Sequence, residues 1–90
     1  MILSLEDRKR RLRFRATHRG TKEADIVVGG FMEAGIEAWG ETEVLWFEAL
    51  MHEQDADILA WAIGKAVPPE RFGGPLMEAM RQLDYVKVAR

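Results

Sequence analysis

The chain contains one strand-like run, Ile26-Val27-Val28 ahead of Gly29-Gly30, and no second run for it to pair with. A strand gains stability only from neighbours that satisfy its backbone hydrogen bonds, so a lone β-branched run does not found a sheet. The segment therefore reads as helix from about Lys22 to the mid-thirties. Its paired glycines weaken that helix and admit close approach of another one. The fold class follows: all-α.

Local punctuation supplies the remaining helices. Ser4 in "SLED" offers an N-cap with Asp7 three residues on, and Leu5, Leu12 and Ala16 recur at helical spacing toward a core, with Phe14 off that stripe. Gly20 is the expected stop, because glycine tolerates the left-handed cap and the basic turn before it suits a helix C-terminus. Thr21 then caps the second helix, with Glu23 and Asp25 in its first turns. Gly40 ends the connection that follows. Thr42 is the expected cap of "EVLWFEALMHE", whose Val44, Phe47, Leu50 and Met51 form an apolar face. Asp55 is the expected cap of "ADILAWAIG", closed by Gly64; "AVPPERFGGP" reads as loop. Pro75 opens a final helix with Leu76, Met80 and Leu83 inward. The expectation is a small five-helix bundle with short turns, one domain over residues 1–90, with residues 84–90 as a loose tail.

Ninety residues with 48% hydrophobic and 31% charged side chains give one modest core and little material to wall off a deep cavity. The absence of cysteine excludes disulfides, thiolate metal sites and a cysteine nucleophile, and two histidines, His18 and His52, are too few for a histidine-rich zinc site. No apolar run approaches the roughly 20 residues of a membrane span. The arginine-rich start carries Glu6 and Asp7 and lacks an apolar h-region, so it reads as mature structure, with the bacterial cytoplasm as expected location. Exposed Trp39 or Trp46 would suit self-association.

Charge is unevenly distributed. Eight of the thirteen basic residues (Arg8, Lys9, Arg10, Arg11, Arg13, Arg15, Arg19, Lys22) lie in residues 8–22. Ten of the fifteen acids lie in residues 23–57, with no Lys or Arg among them. Such a dipole favours oriented docking over nonspecific adhesion.

Three chemical readings fall away. "RGTK" lacks both the preceding strand and the first glycine of a phosphate loop, and Gly29, Gly30, Gly35 and Gly40 do not spell a dinucleotide fingerprint. Glu41, Glu43, Glu48, Glu53, Asp55 and Asp57 read as helix caps and solvated faces, since nothing fixes two of them about a buried pocket. His52 beside Glu53 reads as a surface residue near a helix end. No catalytic residue, metal site or stably bound cofactor is expected. The basic stretch "RKRRLRFRATHR" supports an alternative, a small nucleic-acid-binding or toxin–antitoxin-type regulatory protein, although the acidic remainder and the lack of a recognition motif weigh against nucleic acid.

The segment "RRLRFRATHRGTKEADIVVGGF" resembles the R-G-x-x-E region of the SdhE/YgfY family, the flavinylation and assembly factors of succinate dehydrogenase. "FEALMHEQDADILAWAIG" is similar to that family's second signature, an aromatic–leucine stretch, an acidic turn and a tryptophan; His52 stands where many members have an acid. The two cover most of residues 8–64 in the right order. The resemblance implies a five-helix bundle that binds the flavoprotein subunit of succinate dehydrogenase, and often of fumarate reductase. It also implies promotion of covalent FAD attachment, with the FAD handled through that client. Arg19, Gly20 and Glu23 match the motif and Asp25 the acid that follows. With His18 they form the expected partner-binding set, and Arg19 and Glu23 are expected on one exposed edge, where arginine is enriched among interface hot spots.

Overall fold

A computed structural model describes residues 3–86. Helix α1, Leu5–Ala16, starts where Ser4 accepts a hydrogen bond from the Asp7 N–H at 3.1 Å, satisfying one of the helix's orphan donors. It ends at Ala16 with Thr17 as C-cap, four residues before Gly20. The Thr17 hydroxyl donates to the Arg13 carbonyl at 2.8 Å, and that side-chain bond competes with further helix. Gly20 thus sits inside the turn rather than directly at the helix end.

Helix α2 spans residues 22–35. It comprises Lys22–Ala24, a π turn over Asp25–Gly29 and Gly30–Gly35, joined through right-handed helical angles at Ala24, Asp25, Gly29 and Gly30. The Thr21 hydroxyl caps it by accepting from the Ala24 N–H at 3.1 Å. Gly29 is where helices meet most closely: a Cβ there would lie 3.1 Å from Thr17 Cγ2 and 3.2 Å from the Ala16 carbonyl oxygen. Gly29 therefore lets α2 lie against the end of α1, as the sequence suggests, while Gly30 admits the Tyr85 ring.

A 3-10 turn, Ile36–Ala38, leads to Gly40, which precedes helix α3, Glu41–Leu50. Thr42 is already inside this helix, and the Glu43 carboxylate instead reaches back to accept from the Gly40 N–H at 2.8 Å. Helix α4, Asp55–Ala62, follows Gln54, so Asp55 is its first helical residue and not its cap. Gly64, at φ +83°, closes α4 with two bonds, Lys65 N–H to the Ala60 carbonyl (2.8 Å) and Gly64 N–H to the Trp61 carbonyl (3.3 Å). The next loop holds a 3-10 turn, Glu70–Phe72, which buries Phe72. Helix α5, Pro75–Gln82, begins with proline at its first position.

Among the described residues the five helices enclose one core. Leu12 and Ala16 of α1 meet Val28, Phe31 and Met32 of α2, Val44, Phe47 and Leu50 of α3, Ile58 and Trp61 of α4, and Met77 and Met80 of α5. Trp39 is buried at 8% exposure, its ring 5.0 Å from that of Phe47, and Trp46 is half-buried between Phe31 and Phe72. Neither tryptophan is the exposed ring that self-association would require. Tyr85, in the segment expected to be loose, packs edge-on to Phe31, and its hydroxyl donates to the Met80 carbonyl at 2.8 Å. Residues 87–90 of that expected tail lie outside the described residues.

Candidate functional site: the braced corner between helices α1 and α2

Gly20 has φ +111°, a conformation that L side chains rarely adopt, and no atom lies within 4 Å of where its Cβ would stand. The glycine is therefore required by the turn, and the space above it is open. Glu23 and His18 are exposed beside it, and Asp25 is half-buried. The Asp25 carboxylate accepts the Arg19 backbone N–H at 2.7 Å, which pins the turn to the first turns of α2.

Arg19 departs from expectation. Its side chain is 11% exposed and does not lie on the outer edge with Glu23. It turns inward across the bundle: Nε donates to the Asp55 carboxylate at 2.8 Å, Nη1 to the Met51 carbonyl at 2.9 Å and Nη2 to the Glu53 carbonyl at 3.0 Å. The planar fork thus satisfies two carbonyls left over at the end of α3 and one acid at the start of α4, where the helix dipole already favours a negative charge. The guanidinium is a brace. The edge presented to solvent includes Gly20, Glu23 and His18.

Asp55, Met51 and Glu53 were not legible as Arg19's partners, though a signal was present. They lie in "FEALMHEQDADILAWAIG", the second stretch that carries the resemblance, and the structure brings that stretch onto the first.

Beside the turn, Phe14 is 64% exposed and stacks on the His18 imidazole, ring centroids 4.0 Å apart and 14° from parallel. His18 Nδ1 lies 2.7 Å from the Phe14 carbonyl oxygen. A carbonyl only accepts, so Nδ1 carries the proton and Nε2 remains the acceptor in the neutral ring.

Half of the basic helix's cations are answered by the protein's own acids. Arg8 reaches both Glu41 (2.6 Å) and Glu48 (2.7 Å) across the α1–α3 contact, and Arg10 pairs with Asp7 at 2.9 Å. Lys9 is buried, donating to the Glu37 carbonyl at 3.3 Å. The hydrogen bonds from Arg8 hold the Glu48 carboxyl below the usual carboxylate range, with Arg11 and Arg15 adding to the effect. The charge separation along the sequence thus folds back on itself, leaving Arg11, Arg13, Arg15 and Lys22 without a carboxylate in salt-bridge reach among the described residues. His52 is exposed, in a shallow cleft with Arg8, Arg11, Arg15 and Glu48. Among the described residues no cluster of three His, Asp or Glu side chains is placed to hold a metal, and no helix is long and apolar enough to cross a membrane.

Fold and corner together define a small all-α domain whose most constrained surface feature is a braced turn. Residues 10–84 match the family described as "Flavinator of succinate dehydrogenase", and the chain belongs to that family. It is 38% identical over 77 residues to "FAD assembly factor SdhE" of Acetobacter pasteurianus, covering 86% of this chain and 71% of that one. It is 33% identical over 73 residues to "Succinate dehydrogenase assembly factor 2, mitochondrial" of Cryptococcus neoformans, covering 80% and 42%. The protein of the same name in Dictyostelium discoideum is 30% identical over 71 residues, covering 79% and 50%. The chain spans half or less of the length of these two mitochondrial relatives.

Proposed function

We propose that this protein is a succinate dehydrogenase assembly factor that docks its α1–α2 corner on the flavoprotein subunit and promotes covalent attachment of FAD there. The observation that carries the reading is the family match over residues 10–84, which contains the whole corner and its brace. Flavin attachment is chemistry of the cofactor and of the client's own side chain, so the helper supplies binding and no catalytic residue. It acts by favouring the attachment-competent client conformation. Moving a client from 1:99 to 99:1 takes about 5.5 kcal/mol of differential affinity. A typical interface of about 800 Å² per partner would supply it from the 5978 Å² surface of this chain.

In this reading Gly20, Glu23, Asp25 and His18 meet the client, and Arg19 holds them in place. The turn is fixed before docking, so little ordering entropy is lost when it binds. FAD is handled through the client, and the work takes place in the bacterial cytoplasm. The flavoprotein subunit of fumarate reductase is a second client of the same kind.

The test is co-expression with the flavoprotein subunit in a host lacking its own factor, read by in-gel flavin fluorescence after denaturation. Wild type restores covalent flavin and Gly20→Arg, with helical content intact, does not. Equal fluorescence with and without the protein refutes the proposal.

A further inference from the structure

An open trough of about 600 Å³ starts at the corner and runs along α2. Thr17 and Asp25 belong to both features. Gly29 and Gly30 lie along its base, Gly29 packed against the Ala16–Thr17 end of α1 and Gly30 against the Tyr85 ring, 3.2 Å from where its Cβ would stand. One wall is the ring of Tyr85, whose hydroxyl is committed to the Met80 carbonyl and which therefore offers its aromatic surface.

The charge of the lining is one-sided. Asp25, Glu33 and Asp84 contribute three carboxylates, and among the described residues no Lys, Arg or His lines the trough. Glu33 and Asp84 are exposed, with no cation in salt-bridge reach among the described residues. Ile26, 40% exposed, adds an apolar shoulder beside the corner. An aromatic wall beside the exposed carboxylates of Glu33 and Asp84 matches a flat cation better than a compact one. Guanidinium stacks on ring faces and forks to carboxylates, whereas ammonium is a strongly hydrated point charge.

From this geometry we infer that the trough takes an arginine-bearing extended segment of the client flavoprotein subunit, as a second contact continuous with the corner. The inference rests on the functional reading above. It assigns Glu33, Asp84 and Tyr85 to client recognition.

The experiment uses the full chain and the purified flavoprotein subunit. Affinity is titrated for wild type, for the double variant Glu33→Gln/Asp84→Asn and for Gly20→Arg. In parallel, a photo-reactive benzoylphenylalanine in place of Ala34, which also lines the trough, is cross-linked to the client and the joined peptide sequenced. Both substituted acids are exposed, so the thermal melt of the double variant stays that of wild type. The expected result is at least a tenfold loss of affinity, a smaller salt dependence than wild type and a cross-linked client peptide containing arginine. Replacing that client arginine by lysine should reproduce most of the loss. Affinity within twofold of wild type, while Gly20→Arg abolishes binding, overturns the trough and leaves the functional reading intact. A cross-link joining two copies of this chain also overturns it, as a self-association surface. If wild type itself does not bind the client, the functional reading fails and this inference with it.

Discussion

Arg19→Ala separates a brace from a contact. The substitution removes three hydrogen bonds to oxygen from one guanidinium, to the Asp55 carboxylate at 2.8 Å, the Met51 carbonyl at 2.9 Å and the Glu53 carbonyl at 3.0 Å, and a weaker one to the Met51 sulfur at 3.5 Å. Hydrogen bonds to charged groups contribute about 1.5–3 kcal/mol each when well formed. Full addition would overstate the loss. Asp55 is 21% exposed and regains water, and it stays at the first position of α4, where the helix dipole supports its charge. The carbonyls lie in a turn that solvent reaches once the arginine has gone. The net cost is therefore about 2–3 kcal/mol. For a domain of this size that lowers the melting temperature by roughly 10–20 °C. Circular dichroism at 222 nm measures it directly. Arg19→Lys should recover less than half, because one ammonium does not span three acceptors arranged for a planar fork. A melting temperature within 3 °C of wild type for Arg19→Ala, alongside lost client affinity, would refute the brace and restore Arg19 as a direct contact.

Gly20→Ala meets no neighbouring atom, so its cost is backbone strain alone, about 1–3 kcal/mol, visible as a lower denaturation midpoint with an unchanged urea slope. Gly29→Val drives branched carbons into the Ala16 carbonyl and Thr17. It should destabilise by about 1–3 kcal/mol while leaving the Gly20 turn itself untouched, which urea melts and amide exchange at the corner test together. The Glu48 carboxyl is depressed from its ordinary value of 4.5, so its contribution to stability is present above that value and is lost as pH falls through the lower folded value. Glu48→Gln should therefore flatten the acid limb of a stability–pH curve below about pH 4.5 and leave its slope near pH 7 unchanged, read by urea midpoints at stepped pH.

Much of the fold was legible because helix ends announce themselves locally. Ser4, Thr21, Gly64 and Pro75 act through bonds or dihedral limits within a few residues, and each sits where its chemistry predicts. The boundaries that shifted depended on competition with something nearby. Thr17's hydroxyl ended α1 early, Glu43 capped α3 in place of Thr42, and Arg19 drew Asp55 into an ion pair at the first position of α4. The tryptophans failed for a different reason. Exposure of a large ring depends on which helix crosses it, and Trp39 is covered by Phe31 and Phe47, residues from two other elements. Of the corner residues, Gly20 and Glu23 were readable as an outward turn. The direction of the Arg19 side chain was not, because its acceptors lie 32 to 36 positions further along the chain.

That distance explains why the chain carries two matching stretches rather than one. The R-G-x-x-E segment supplies a cation and a glycine turn; the acidic turn between α3 and α4 supplies the carboxylate and carbonyls that cation needs. Neither is complete alone. A guanidinium at 11% exposure without acceptors would be costly, and the end of α3 without the guanidinium would leave carbonyls unsatisfied. The pair therefore acts as one structural unit, and substitutions in the second stretch should behave like substitutions in the first. Asp55→Asn removes the acid that faces Nε while keeping the side-chain shape, so it should weaken client flavinylation without touching the exposed edge. Combined with Arg19→Ala it should add little further destabilisation, because the two changes delete the same interaction. Fully additive losses in that double-variant cycle would mean that the two stretches act independently, and the braced-corner account would fail.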